Sequence, residues 1–144
     1  MNTELIAKTW DTLRVPHVTL IQGFYVRFFE RHPHYRPLFP AQMDHHMRRM
    51  VDTMAMVSRL ADHNDVIESR LLHVGERHRG YGLAREDLDN FRDVFIEVIE
   101  ENCQAEWDAE CRAAWKEAFD RAVLPLVMRG LGTQSASSSA GGPQ

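Results

Sequence analysis

Apolar residues recur at three- and four-residue intervals along almost the whole chain, which is the spacing of one face of an α-helix. No segment shows the apolar–polar alternation of a half-buried strand bounded by turn dipeptides. The pattern predicts an all-α fold, with helices at 3–14, 17–31, 34–39, 43–62, 66–79, 85–103 and 108–129.

Proline and glycine explain several of these boundaries. Pro16 suits the start of the second helix, because the missing N–H costs nothing at that position. Gly80 and Gly82 predict the end of the fifth helix, since glycine takes left-handed conformations without a steric penalty. Pro125 conflicts with the last helix, because a proline inside a helix kinks or ends it.

Residues 1–130 are predicted to form one domain with its own core, which a chain of 144 residues can supply. The sequence shows no internal repeat. Residues 131–144 are expected to be a disordered polar tail or a linker to another domain. Their stretch TQSASSSAGGPQ has too few apolar groups to form a core.

Composition excludes several classes of protein. A net charge of -4 leaves no basic surface for nucleic acid. No apolar run approaches the ~20 residues of a membrane helix, and the N-terminus lacks the pattern of a signal peptide. We therefore expect a cytoplasmic protein without nucleic-acid or membrane partners. Cys103 and Cys111 are expected to be reduced thiols, with a disulfide or a redox-sensor role as the alternative.

Two of the eight histidines lie on apolar helix faces. In the fourth predicted helix, His46 is within about 40° of Met50, at the edge of a methionine-rich stripe. In the fifth, His78 shares a face with Ile67, Leu71 and Val74. The other six histidines are predicted to lie on the surface.

A lone histidine on an apolar face is usually a buried ring that is bonded to a carbonyl group, and a methionine stripe is usually plain core. A pair on neighbouring helices without a nearby carboxylate favours a haem over zinc, because zinc requires more protein ligands. Gly75, one turn before His78, is interpreted as a place where a large flat group approaches the backbone.

The stretches FYVRFFERHPHYRPLF, MDHHMRRM and LHVGERHRGYG together resemble the bacterial globins of the single-domain, flavohaemoglobin-like branch. The resemblance covers residues 4–129. Its most specific block is matched by Phe24, Tyr25, Phe29, Pro33 and Phe39, and a last-helix signature is matched by Trp115 and Phe119. It implies the globin fold, a three-over-three helical sandwich around a b-type haem.

The resemblance also implies roles for single residues. His78 matches the proximal iron ligand, and Tyr25 matches the distal tyrosine that donates a hydrogen bond to O₂. His46 matches the distal gate position, where it would bind the gas ligand, swing outward or coordinate the iron as a second ligand. The expected haem contacts are Phe39, Met50, Val74 and Leu83.

Helical position makes Arg49 and Arg77 candidates for binding the haem propionates, with plain solvated charge as the alternative. Two positions depart from the branch: Leu88 stands where a tyrosine is expected, and Gly130 where a glutamate is expected. That pair would hydrogen-bond to the proximal histidine. Without it, the expected proton acceptor of His78 is a backbone carbonyl near Val74.

The predicted function is reversible binding of O₂ and other diatomic gases, for storage or transport, with NO, CO and cyanide as further ligands. One alternative is a nitric-oxide dioxygenase, in which O₂ reacts with NO to give nitrate and an external reductase restores the haem. Because the same Tyr25 pocket serves both, the sequence leaves open whether the protein is an enzyme. The remaining alternatives are a gas or redox sensor and, outside the family, a cofactor-free helical interaction module.

Overall fold

The computed structural model describes residues 2–59, 65–103 and 107–141. The described chain is helical throughout, apart from connections and one isolated bridge between Leu13 and Cys103, so the all-α class is confirmed. A 3₁₀ helix at Pro33–Leu38 follows α2, and a π-helical segment at Phe119–Val123 joins α6 to α7. The α-helices are α1 (Thr3–Asp11), α2 (His17–Arg31), α3 (Asp44–Val57), α4 (Asp65–Arg77), α5 (Arg85–Asn102), α6 (Ala109–Ala118) and α7 (Leu124–Gly141).

Local side-chain chemistry sets several helix ends. The Asn2 side chain accepts a hydrogen bond from the N–H of Leu5 at the start of α1, and Asp108 does the same for Cys111 at the start of α6. Gly80 and Gly82, with φ of 93° and 69°, turn the chain away after α4. Since φ in this range is strained for other residues, the predicted glycine break is confirmed.

The helices form two layers. Helices α1, α3 and α4 lie over α2, α5 and the α6–α7 unit, with α1 against α6, α3 against α2 and α4 against α7. Within the second layer α5 packs on both α2 and α6. This is the predicted three-over-three arrangement. Its largest fully buried side chains include Trp115, Phe24, Phe95 and Phe119.

The last part of the chain resolves the conflict over Pro125. The π-helical segment ends at Val123, two residues before it, and the N–H of Leu124 donates to the carbonyl of Phe119, five residues back. A π turn adds one residue to the helix, so the proline, which has no N–H, lies in the first turn of α7 instead of breaking an old helix. The segment contributes Phe119 and Val123 to the cavity described below.

Helix α7 continues through residues 131–141, where the sequence predicts a disordered polar tail or linker. The domain limit at residue 130 and the linker role therefore stay predictions, and residues 142–144 lie outside the described part of the chain. The C-terminal end of the helix predicted at 43–62, residues 60–62, also lies outside the described part of the chain.

Two further expectations concern the environment of the protein. None of the described helices combines the length and the apolar character that crossing a bilayer requires. Cys103 and Cys111 are free thiols, and both are buried.

Candidate functional site

A largely apolar cavity lies between the two helices whose apolar faces carry histidines. His46 reaches it from the first turn of α3, and His78 reaches it from the turn that follows α4. The sequence-predicted residues Phe39, Met50, Val74 and Leu83 all line it. So do apolar side chains from α5, the π segment and α7: Leu88, Phe91, Phe119, Val123, Leu124 and Val127.

One side of the cavity carries His78 with a defined ring orientation. The Nδ1 atom lies 2.6 Å from the carbonyl oxygen of Val74, and the backbone N–H of His78 donates to the carbonyl of Gly75 at 3.0 Å. Because a carbonyl only accepts, Nδ1 carries the proton and donates it. The lone pair of Nε2 is therefore free for a metal, and the predicted carbonyl partner near Val74 is confirmed.

Tyr25 and His46 face each other in the same cavity. The Tyr25 hydroxyl lies 3.0 Å from Nε2 of His46, and the Phe39 ring packs edge-on against both rings, with centroid distances of 5.6 Å to Tyr25 and 5.0 Å to His46. Tyr25 is 4% exposed. Burial raises the pKa of Tyr25 above its usual range, so the phenol keeps its proton and can donate it.

His46 is neutral at physiological pH. Burial lowers the pKa of His46 to about 4, with smaller electrostatic contributions from the neighbouring His78, Arg49 and Arg77. A neutral imidazole at this place can accept the Tyr25 proton at Nε2, and the pair therefore presents hydrogen-bonding groups without a net charge to the cavity.

A second cavity adjoins the first at its polar edge. Both His46 and His78 line it. The same rim carries Asp52, His73 and three arginines: Arg49, Arg70 and Arg77. Burial and the charge of Arg49, which lines the same opening, lower the pKa of Arg77. The structure thus places both predicted propionate partners at one opening beside the histidines.

Three residues of the site were not predicted from the sequence. Tyr35 and Asp87 line the far end of the cavity, where the Tyr35 hydroxyl donates to Asp87 at 2.5 Å and accepts from Asn90 at 3.0 Å. Tyr81, about half exposed, lies beside His78 with a centroid distance of 6.3 Å. The signal for Tyr35 was weak, because a tyrosine in a short proline-rich segment has no helical periodicity to assign its face.

The interpretation of Gly75 is wrong. Gly75 is buried against α7 and not against the cavity: a Cβ at this position would overlap the carbonyl oxygen of Val127 and would lie 3.0 Å from the Cα of Gly130. The absence of a side chain therefore permits a close crossing of two helices. Helical periodicity alone does not distinguish a neighbouring helix from a bound group.

The site fits a haem better than a metal ion held by protein ligands alone. In the described ranges no three His, Cys, Asp or Glu side chains converge as an ion site would need. A mostly apolar slot, one imidazole with a free Nε2 and a pair of arginines at the rim match an apolar macrocycle with an axial iron site and two acidic groups.

Fold and site together define a helical haem protein. A family model described as Globin matches residues 22–124, and the chain belongs to the globin family. Binding of haem and of gas ligands follows for this chain at the level of the family.

Several related proteins come from plants. The chain is 29% identical to the anaerobic nitrite reductase of Gossypium hirsutum over 137 residues, covering 85% of this chain and 84% of the relative. It is 28% identical to the corresponding protein of Casuarina glauca over 139 residues, with 86% and 87% covered. A protein of the same printed name from Oryza sativa is 21% identical over 130 residues. These relatives support the globin family but not the bacterial branch that the motifs predict.

The role of His78 can be tested against an exposed histidine that lines neither cavity. Replacing His78 with Ala removes the iron ligand and is expected to weaken haem affinity by at least about tenfold, the size of effect seen for groups around a metal. Replacing His45, which is exposed and lines neither cavity, should leave affinity unchanged. Titration of each apoprotein with haem, followed by absorbance, measures both. Equal affinity in the two variants would remove His78 from the site.

The low pKa of His46 predicts an acid-sensitive fold. The ring has a pKa of about 4 when folded and 6.5 when unfolded, so stability is lost as the pH falls from above 6.5 toward 4. The full shift corresponds to about 2 kcal/mol between pH 7 and 5, and screening of this half-buried ring reduces it to about 1 kcal/mol. Urea unfolding at both pH values should show a smaller loss for His46→Gln than for the wild type; equal losses would contradict this account.

Proposed function

We propose that this globin binds O₂ and other diatomic gases reversibly through a pocket whose ligand side is formed by Tyr25 and His46. One observation carries the proposal. The free Nε2 of His78 and the hydrogen-bonded pair of Tyr25 and His46 line the same apolar cavity. A haem bound there would supply an iron centre with one position held by His78 and the other open to a gas.

Each side chain then has a definite task. His78 would hold the iron of a bound haem, and the Val74 carbonyl keeps the proton of the ring on Nδ1. Tyr25 supplies an O–H donor from a buried position, and a hydrogen bond from it to a partly negative ligand is worth roughly 1.5–3 kcal/mol. Phe39 packs edge-on against both distal rings and holds them in place.

The distal histidine acts in this proposal as a partner of Tyr25 and not as a second iron ligand. Its Nε2, the atom that would coordinate iron, is engaged by the Tyr25 hydroxyl at 3.0 Å. When a gas ligand enters, the hydroxyl turns to the ligand and His46 is released toward the polar rim, which it also lines. Ligand-free reduced protein should therefore have five-coordinate haem.

The finer assignments belong to the same proposal. A non-covalent b-type haem is supported by the cysteines, since both are buried and neither lines the cavity, so no thiol is placed for covalent attachment. The two free thiols also support a cytoplasmic location. Membership of the bacterial single-domain branch is supported by the block from Phe24 to Phe39.

Nitric-oxide dioxygenase activity with an external reductase, or a sensor role, would use the same Tyr25 pocket. Both require a further partner: an electron donor in the first case and a signalling domain in the second. Reversible binding requires only the described cavity, so we place it first.

Nitrite reduction is a second candidate. The plant relatives are named anaerobic nitrite reductases, and among the described residues the opening beside His46 carries three arginines and one carboxylate, that of Asp52. If Arg49 and Arg77 bind the haem propionates, Arg70 remains to attract an anionic substrate. A cationic opening raises the local concentration of small anions and does not affect neutral gases.

Gas binding is tested by removing one hydroxyl group. We expect Tyr25→Phe to speed O₂ dissociation at least about tenfold, because it removes the donor from the ligand side. Tyr35→Phe is the matched control: its hydroxyl lies in the same cavity but is bound to Asp87 and Asn90. Stopped-flow dissociation of O₂ from the reduced protein measures both. An unchanged rate in Tyr25→Phe would rule out the proposed role.

The nitrite candidate is tested by comparing an anion with a neutral gas. Arg70→Gln should slow nitrite association with the oxidised protein severalfold at low salt, and the difference should shrink at high salt because surface charge is screened. Its CO association rate should stay unchanged. Arg48→Gln, an exposed arginine outside the opening, is the control. An equal effect in both variants, or none, would argue against this candidate.

A further inference from the structure

Helices α4 and α7 touch through their backbones. Gly75 and Gly130 are both buried at the crossing. A Cβ on Gly130 would overlap the carbonyl oxygen of Leu72, and would lie 2.9 Å from the nitrogen of Glu76 and 3.0 Å from the Cα of Gly75. Every obstructing atom is backbone, so a side chain here cannot be accommodated by a rotamer change and the helices must move apart.

The contacted stretch of α4 is the part that orients His78. The carbonyl of Val74 accepts from Nδ1, and the carbonyl of Gly75 accepts from the backbone N–H of His78. Both bonds start one turn before the histidine, at the level where α7 presses on α4. A displacement of this turn therefore carries the imidazole with it.

Gly130 also forms a hydrogen bond with the residue that follows His78. The Arg79 side chain donates from Nε to the carbonyl of Gly130 at 3.0 Å. Arg79, which follows the histidine, and the helical turn that precedes the histidine thus both contact Gly130 of α7. Among the described residues the imidazole has one hydrogen-bond acceptor, the Val74 carbonyl, so its direction depends on where the end of α4 lies.

We propose that Gly130 is a positioning residue for the iron-binding imidazole: its backbone contact with Gly75 and its carbonyl bond to Arg79 fix the end of α4 and hence the direction of the His78 Nε2. The inference rests on the proposed iron-binding role of His78. It extends the site to a residue of α7 that lies some fifty positions along the chain from His78 and does not itself line the cavity.

The chain contains a matched control for the test. Gly132 lies on the same helix, and a Cβ there would meet no atom within 4 Å. Gly130→Ala and Gly132→Ala make the same change in helix propensity, but only the first inserts a methyl group into the crossing. The haem-containing full chain is used for both variants, so that folding and cofactor loading are compared directly.

The decisive measurement is the iron–histidine stretching frequency of the reduced, ligand-free protein, by resonance Raman spectroscopy. Gly130→Ala should shift this frequency and speed haem loss to an acceptor protein by about tenfold or more. Gly132→Ala should change neither. A purely structural role for Gly130 would lower the unfolding midpoint but leave the frequency where it is, and that result would overturn the proposal.

A second variant covers the case in which Gly130→Ala does not fold. Arg79→Gln adds no atom to the crossing and removes the donor to the Gly130 carbonyl, with Arg48→Gln as its control. It should shift the same frequency by a smaller amount. A wild-type frequency in Arg79→Gln with Gly130→Ala unfolded would overturn the proposal. Wild-type protein without haem would instead reject the proposed function, and the two failures are therefore distinguishable.

Discussion

The hydrogen bond between Nδ1 of His78 and the carbonyl of Val74 is the interaction on which the site depends. It fixes the tautomer of the ring, because the carbonyl can only accept. It also fixes the ring plane relative to α4, since donor and acceptor lie one helical turn apart. A different tautomer would place a proton on Nε2 and leave no lone pair for iron. The residues of the opposite wall can contact an iron-bound ligand only if this nitrogen is free to bind the iron.

The rest of the site separates neutral groups from charged ones. Inside the cavity, burial keeps Tyr25 protonated and His46 uncharged, so both can exchange hydrogen bonds with a small ligand without the cost of a buried charge. The guanidinium groups of Arg49, Arg70 and Arg77 lie at the opening. The interior therefore favours neutral ligands, whereas the cationic entrance attracts anions.

Much of the site could be predicted from the sequence, because the relevant interactions are local. Three-residue and four-residue spacing placed His46 and His78 on apolar faces, and Gly80 and Gly82 marked the end of the proximal turn. The acceptor near Val74 was expected because Leu88 and Gly130 replace the pair that would otherwise bond to the histidine, and the Val74 carbonyl lies four residues before it. The branch of the family was less accessible: the motifs predict the bacterial single-domain branch, whereas the relatives compared above are plant proteins.

The sequence by itself determined the helices, the all-α class and the two histidine-bearing faces, because each depends on residues within a few positions of one another. Only the tertiary structure decided what each face meets. It set Gly75 against Gly130 and not against a cofactor, and it bonded the Tyr25 hydroxyl to His46. These pairs are far apart in sequence and are brought together by the packing of whole helices. Such packing cannot be predicted from a local sequence pattern.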